Sequence, residues 1–428
     1  MELPEEIKKI YRSITQKGFK AYLTGGCIRD KLLGKEPQDW DIVTNAPADL
    51  IKALSFRIIA ISKEFFGTYK IGIESVSCDI SILKGDTIEQ DLLQRDFTIN
   101  AVAFDIEQGV YIDPADGIKD INDNKVIRAV RSPEERFEED PLRMLRGIRL
   151  SVELGFPIED TTYRTMCKMA PFLEKSSCER IRDEFNKILV SDRVEEGILL
   201  LKNTGLLNYI IPELLEGDGV TQRGDHIYDV LEHNIKTAAY IKPYLNMRLA
   251  ALLHDVGKPR SLKETEDIRS FPGHNKVSAV MAEDILKRLK YPNKTISEVI
   301  SLIYYHLFIF KPTTPEKELR KLIAKLGDRG IMRLIELLDA DRRAISPKIK
   351  LNYVNYMKEK VEEMLTNEGV INIKDLKING NDIKDYLDIE DGPKIGHILQ
   401  KIWDRVMEDP SLNRRDILLK MIEDYKYI

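Results

Sequence analysis

The chain has 428 residues, 43% hydrophobic and 32% charged, with a formal net charge of −5. That length leaves room for several domains of about 100–200 residues each. No apolar run approaches the roughly 18 residues of a membrane span. The opening MELPEEIKKIYRSI is acidic and helix-forming, without the apolar centre of a signal peptide, so a cytoplasmic protein with no membrane partner is expected. Cys27, Cys78, Cys167 and Cys178 lie far apart without C-x-x-C spacing, and read as free thiols in place of a disulfide framework or zinc site. The acidic balance does not advertise a nucleic-acid partner. Net charge does not report local fields, however, and RAVRSPEER and RMLRGIRL are basic clusters.

In chain order, AYLTGG, DWDIVT, FRIIAIS, TYKIGI and VSCDISIL predict strands, because β-branched and aromatic residues gather between turn signals. A short helix ends at Leu32-Leu33-Gly34, Pro47 fits the first turn of another, and a hairpin is expected around Glu107-Gln108-Gly109. From about Glu134 the period becomes helical: RMLRGIRLSVELGF, CERIRDEFNKILV and EEGILLLKNTGLL repeat apolar residues three and four apart. Gly217–Gly224 marks a further shift, and five of the six histidines fall between His226 and His306. A last helical piece starts near Asn352. The plan is an α/β head followed by an all-α remainder.

The sharpest chemical signal is GGCIRD (Gly25–Asp30) followed by QDWDIVT (Gln38–Thr44). Asp39 and Asp41 are two apart on a predicted strand, so both carboxylates project from one face. Paired carboxylates beside a phosphate-binding turn suit hard divalent cations such as magnesium, which serve in-line displacement at phosphorus. Gly25-Gly26 lets the backbone approach a triphosphate, the helix start that follows points N–H groups at it, and Arg29 adds a charge-assisted contact. Asp79 on VSCDISIL is either a third carboxylate or a structural residue. Singly, each element also fits a surface Asp-x-Asp beside an ordinary turn; the combination, in this order and spacing, favours the catalytic reading.

These residues resemble the head of class II tRNA nucleotidyltransferases and bacterial poly(A) polymerases, which carry GGxxRD and then DxDxxT. Gly25, Gly26, Arg29, Asp30, Asp39, Asp41 and Thr44 match. The family's RRDFTINA is present as QRDFTINA, Gln94–Ala101, so Arg95, Asp96 and Asn100 carry over and the first arginine does not. Arg95 is then expected on the triphosphate or sugar. RFEEDPLRMLRGIRL matches a third motif. Asp140 and Arg143, three apart on an expected helix, face the same way; an acceptor beside a donor reads the Watson–Crick edge of a base. In the family this pair is a protein template for CTP or ATP, and Arg146 and Arg149 should reach phosphates. The bland alternative is a salt-bridged helix on a solvated face. CERIRDEFNKIL resembles another family helix, with Glu179 and Arg182 buttressing the neck.

Full CCA-adding members carry a longer flexible segment before RRDFTINA, whereas ISILKGDTIEQDLLQRD connects directly through residues 84–87. The resemblance therefore implies addition of C to the 3′ end of tRNA from CTP, as CC or as complete CCA with ATP, the adenosine being left to a separate A-adding enzyme in the first case. Poly(A) polymerase is the alternative within the class. Outside it stands a phosphohydrolase or RNA-binding protein whose head only binds nucleotide.

His233, His254-Asp255, His274, His306 and Asp341 resemble the HD superfamily of metal-dependent phosphohydrolases, LLHDVGKP being the most specific piece. Adjacent His and Asp at a helix end can share one metal or bridge two. A divalent transition metal is expected there, or else a degenerate helical scaffold. His226 could lie on the same face as His233. DGPKIGHIL near the end resembles the family's tail, implying a tRNA contact, with His397 structural. The fold expected from the resemblance is a polymerase-β-like nucleotidyltransferase head with a mixed sheet (1–133), a helical neck (134–215), an HD domain (216–345) and a helical tail (346–428).

Overall fold

The computed structural model describes every residue except 55, 63–67, 74–75, 223, 265–268, 347–351, 369–371, 391 and 427–428. The chain divides into two compact units, Met1–Pro212 and Glu213–Ile428.

The first unit begins with a helix, Glu5–Thr15, that buries Ile7, Ile10, Tyr11 and Ile14, the one-sided spacing that sequence periodicity requires. Each such buried side chain contributes roughly 1.5–3 kcal/mol as an upper bound. The helix shares its core with Leu23, Ile28, Ile42, Ile71 and Ile80 of the head. The strands are β1 (Ala21–Thr24), β2 (Asp39–Thr44), β3 (Arg57–Ser62), β4 (Thr68–Ile73), β5 (Val76–Ile82), β6 (Ala103–Asp105) and β7 (Val110–Ile112). They form one seven-stranded sheet in the order β3-β4-β5-β2-β1-β6-β7. β2 pairs parallel with β5 and antiparallel with β1, which makes the sheet mixed as expected. The β6–β7 hairpin turns at Gly109, whose φ of 69° places it in the left-handed region.

Helices follow from Pro133. Pro133–Glu139 is capped by Ser132, whose hydroxyl accepts from the Glu135 N–H. Leu142–Leu154 then buries Met144, Leu145, Ile148 and Val152. It passes close over the QRDFTINA segment because Gly147 has no side chain: a Cβ there would stand 2.8 Å from the Phe97 ring and 2.5 Å from Met166. Cys178–Leu189 and Val194–Asn203 complete the neck.

In the second unit, Val230–Tyr240, Leu245–Leu253, His274–Arg288, Asn293–Tyr305 and Glu316–Ile345 surround the histidines, the last being interrupted at Gly327. A two-stranded ribbon, Lys263–Glu264 with Arg269–Ser270, is an addition to the all-α reading. The tail closes around Ile383, Ile398, Ile402, Leu418 and Ile422. His397, expected to be structural, is exposed there. Among the described residues no helix is long and apolar enough to cross a membrane.

Gly147→Val should lower the stability of the protein to chemical denaturation by about 1–3 kcal/mol, since the ring of buried Phe97 must move to admit it.

Candidate active site

β2 delivers Asp39 and Asp41 from one face, and its parallel pairing sets Asp41 against Asp79 of β5 in the ladder. Three carboxylates thus share one side of the sheet. Burial, and then repulsion from Asp79 and Asp39, push the Asp41 carboxyl up to about 6 despite the nearby Arg95. Burial raises Asp79 as well, with Lys70 pulling the other way. The Asp79 Oδ1 atom is buried with no hydrogen-bond partner among the described residues. Oxygen donors, surplus negative charge and an orphaned acceptor suit a hard divalent cation.

The glycine turn lies against this cluster. Gly25 has φ 74°, and a Cβ there would meet Asp41 Oδ2 at 3.0 Å and an Arg95 guanidinium nitrogen at 3.2 Å, so both conformation and space require glycine. Gly26 opens the short Gly26–Leu32 helix, which carries Arg29. Arg29 donates to Asp30 at 2.8 Å and to the Asn100 side-chain oxygen at 2.9 Å. Asn100 donates to Asp96 at 3.3 Å, and Arg146 reaches the other Asp96 oxygen at 3.0 Å. Burial works against ionised Asp96, yet Arg146 and the Phe97 N–H hold its carboxyl below the usual range. Arg95 donates to Asp91 at 3.0 Å and to the Asn100 carbonyl at 3.4 Å.

The pair expected to read a base is placed differently from the expectation. Asp140 does not share a helix with Arg143: it ends Pro133–Glu139 with φ −151° and ψ 99°, and the next helix begins at Leu142. The cause is Pro141, which drives the residue before it out of the helical region. The Asp140 carboxylate accepts from Arg180 at 2.8 and 3.3 Å and from the Leu142 N–H at 3.2 Å. Arg143 donates to Glu139 at 2.7 Å, to the Arg136 carbonyl at 3.1 Å and to the Gln94 carbonyl at 3.4 Å. Arg149, expected on phosphates, is held by Glu184 at 2.7 Å and Glu153 at 2.9 Å, so a phosphate contact would have to break both pairs. Glu184 holds Arg149 on the Leu142–Leu154 helix and Arg180 holds Asp140 on the link before it, while Glu179 is exposed and Arg182 pairs with Asp183 at 2.9 Å. The sequence reading missed Arg180, Glu184, Asp91 and Lys70; the partners of Arg180, Glu184 and Lys70 are set by strand order or helix packing, whereas Asp91 pairs locally with Arg95 four residues on.

The second unit gathers the histidines. His254 and Asp255 follow the Leu245–Leu253 helix, and Gly257 allows the turn to press on Ser278, whose backbone nitrogen a Cβ would meet at 2.5 Å. His274 opens the helix His274–Arg288. Three rings donate Nδ1–H to backbone carbonyls: His254 to Ala251 and His274 to Phe271 at 2.7 Å, and His306 to Ile303 at 2.6 Å. His233 makes the corresponding, longer contact with Ala344 at 3.4 Å. Their Nε2 atoms therefore converge, 3.2 Å apart for His233 and His254 and 3.3 Å for His274 and His306. Asp255 serves both pairs, with Oδ2 at 3.2 Å from His254 and Oδ1 at 3.1 Å from His274. Asp341 reaches His233 at 2.9 Å. Facing Nε2 atoms call for a shared proton or a cation between them, and carbonyl-anchored imidazoles are the arrangement that metal ligands adopt. Two candidate groups result, His233 with His254 and Asp255, and Asp255 with His274 and His306. Without metal, His254 gains a proton: burial opposes the charge, but Asp255 and Asp341 push its pKa up to about 10. His226 packs edge-on against His233 at 5.3 Å and lies outside both groups; burial and Lys258 push it down to about 4. Lys258, buried in the turn after Asp255, pairs with it at 2.5 Å and donates to Gln222 at 2.6 Å.

The raised carboxyl of Asp41 has a measurable consequence. Folded protein keeps that proton to about pH 6, whereas unfolded chain releases it near 3.8, so stability falls as pH rises through this window. Asp41→Asn should stabilise the chelator-treated protein by about 1–2 kcal/mol at pH 7.5, after discounting for partial solvent access, and give no gain at pH 4. Denaturant midpoints at the two pH values test this.

Residues 21–128 match the family profile described as "Poly A polymerase head domain", 155–217 that described as "Probable RNA and SrmB- binding site of polymerase A", and 224–332 the "HD domain". The chain is 31% identical to the A-adding tRNA nucleotidyltransferase of Deinococcus radiodurans, over 89% of this chain and 90% of the relative. It is 28% identical to the CC-adding tRNA nucleotidyltransferase of Thermus thermophilus, over 91% and 90%. The crystal structure of the Bacillus stearothermophilus CCA-adding enzyme in complex with CTP is similar with a TM-score of 0.74 and 25% identity, covering 100% of this chain and 98% of that one. With its acidic cluster, glycine turn and histidine centre in place, the chain belongs to the tRNA nucleotidyltransferase family that contains CCA-, CC- and A-adding enzymes.

Proposed function

We propose that this chain adds cytidine to the 3′ end of tRNA from CTP, releasing pyrophosphate, with no nucleic-acid template. The observation that carries the reading is the gathering of Asp39, Asp41 and Asp79 on one face beside Gly25 and Arg95. Magnesium held by Asp39 and Asp41 would supply charge neutralisation at the attacking 3′-hydroxyl and the departing pyrophosphate. The chain's own groups do the rest. The bare Gly25 backbone admits the triphosphate, and Arg29 and Arg95, tethered through Asn100, present guanidinium charge to it. Asp140 and Arg143 select the base. Cytosine and adenine both offer an amino donor next to a ring-nitrogen acceptor, which suits a carboxylate and a guanidinium; uracil and guanine offer the reverse and are refused.

The short connection supports stopping after two cytidines. The Lys84 N–H donates to Asp91 at 3.0 Å, the Lys84 carbonyl accepts from the Gln94 side chain at 3.1 Å, and the Asp86 N–H donates to Gln90 at 2.8 Å. A turn pinned in this way cannot drive the reorientation that exchanging cytosine for adenine demands. The final adenosine then falls to a separate enzyme using ATP. Incubating the protein with tRNA lacking CCA, supplying CTP and ATP separately and together, and sequencing the ends tests both claims. CC should appear with CTP alone, and ATP should remain a poor substrate on tRNA ending in CC. Efficient adenosine addition would defeat the CC-only claim, and long adenosine tails would instead indicate a poly(A) polymerase. Asp41→Ala should lower incorporation by about 10³-fold or more. Arg143→Ala should relax the preference for CTP over UTP by about tenfold, the value of one well-made hydrogen bond to a charged group.

For the second unit we propose a divalent transition metal centre on His233, His254, Asp255, His274, His306 and Asp341, with phosphohydrolase activity on phosphomonoesters or 2′,3′-cyclic phosphates. Convergent Nε2 atoms around a shared Asp255 favour this over a bare scaffold. Elemental analysis of the purified protein should find such metal, lost together with hydrolysis in the double variant His254→Ala, Asp255→Ala, while cytidine addition survives. Metal-free wild type with no hydrolysis would support the scaffold.

A further inference from the structure

We propose that Lys70 is a built-in counter-ion of the head's carboxylate cluster that a divalent cation must displace, and that it thereby sets how much metal the enzyme needs. The inference rests on the reading that Asp39 and Asp41 hold such a cation. β4 runs antiparallel to β5 with Lys70 opposite Asp79, and β5 runs parallel to β2 with Asp79 opposite Asp41. Residues paired across a sheet project from the same face. An ammonium and two carboxylates therefore form one row across three strands, with Asp39 two residues along on the same face.

The Lys70 Nζ atom lies 3.4 Å from Asp39 Oδ1 and 3.9 Å from Asp79 Oδ1. That Asp79 oxygen is the buried one with no hydrogen-bond partner among the described residues, so its nearby positive charge is an ion pair at long range. Two neighbouring guanidiniums hydrogen-bond to other groups, Arg29 to Asp30 and Asn100 and Arg95 to Asp91, although their charge still acts on Asp41. Lys70 thus faces the same carboxylate oxygens that a small dication would coordinate. An ammonium and a dication cannot both sit within about 4 Å of one carboxylate without strong mutual repulsion. The lysine stem is flexible and its side chain is 39% exposed, so Lys70 can swing into solvent, and the competition costs affinity without blocking the site.

Ferrous ion in place of magnesium, with added hydrogen peroxide and ascorbate, gives a readout that is local and independent of turnover: bound Fe(II) reduces peroxide to hydroxide and hydroxyl radical, ascorbate returns the iron to Fe(II), and the radical cuts the backbone beside it. In the full chain, fragments ending near residues 39–41 and 79 report the head, separately from fragments of the histidine centre. Lys70→Met should reach half-maximal head cleavage at about threefold or more lower ferrous ion than wild type, as expected for removing one screened like charge beside a dication. Lys70→Arg, which keeps the charge, should stay at the wild-type midpoint, and Lys70→Gln replaces Lys70→Met if the latter misfolds. Chelator-treated Lys70→Met should also unfold at lower temperature than wild type, with magnesium closing the gap; a purely structural lysine would shift both conditions equally. A neutral variant with the wild-type cleavage midpoint or a higher one overturns the proposal. Asp41→Ala separates the two levels. If it abolishes head cleavage while Lys70→Met has no effect, only the role of Lys70 falls; if it leaves head cleavage intact, the metal reading falls and this inference with it.

Discussion

Parallel pairing of β2 with β5 forces Asp41 to stand beside Asp79, and the organisation of the head follows from that enforced repulsion. Two carboxylates in register on adjacent strands, with Asp39 close by, are an unfavourable arrangement for a sheet on its own. Everything around them limits the cost without removing it. Gly25 keeps side-chain bulk away from Asp41, Arg95 leans on the turn, and Lys70 offers partial compensation from β4. The cations that could quench the cluster are instead drawn into the Arg29–Asn100–Asp96–Arg146 chain, which ties the turn to the Leu142–Leu154 helix. Negative charge is thereby left in surplus where a triphosphate and its cation would arrive, a separation of stability from function of the kind active sites show.

The second unit reaches a similar surplus by different chemistry. Its donors are imidazole nitrogens, softer than carboxylate oxygens, and the carbonyl anchor at each Nδ1 leaves the lone pair on Nε2 no direction but inward. Asp255 belongs to both histidine pairs, so its loss would dismantle two groups at once, whereas either pair could lose a histidine and leave the other intact.

Much of this was legible in the sequence because it is local. The five head strands announced themselves by composition between turns, Gly25-Gly26 by its place between strand and helix, and the histidines by their spacing. Asp140 shows local information overlooked: Pro141 is visible in EDPLR and dictates the break, yet the three-residue spacing to Arg143 suggested a continuous helix. Arg149 illustrates the opposite case. Its partner Glu184 is 35 residues away and comes from helix packing that periodicity does not encode. Lys70 and Arg180 were invisible for the same reason, one needing the order β4-β5-β2 and the other the approach of Cys178–Leu189.

The extended link at Asp140 joins two rigid helices end to end, with the carboxylate on the joint and the guanidinium of Arg143 one turn beyond it. The distance between acceptor and donor is therefore geared to the angle between the helices, as the opening of calipers is geared to their pivot. A substitution in the core beneath either arm, at buried Phe137 or Leu145, would tilt one helix and respace the pair without touching a nucleotide. Under the proposed role of Asp140 and Arg143, base choice would be a mechanical property, distributed through the packing around a single backbone pivot and open to tuning from positions away from the nucleotide.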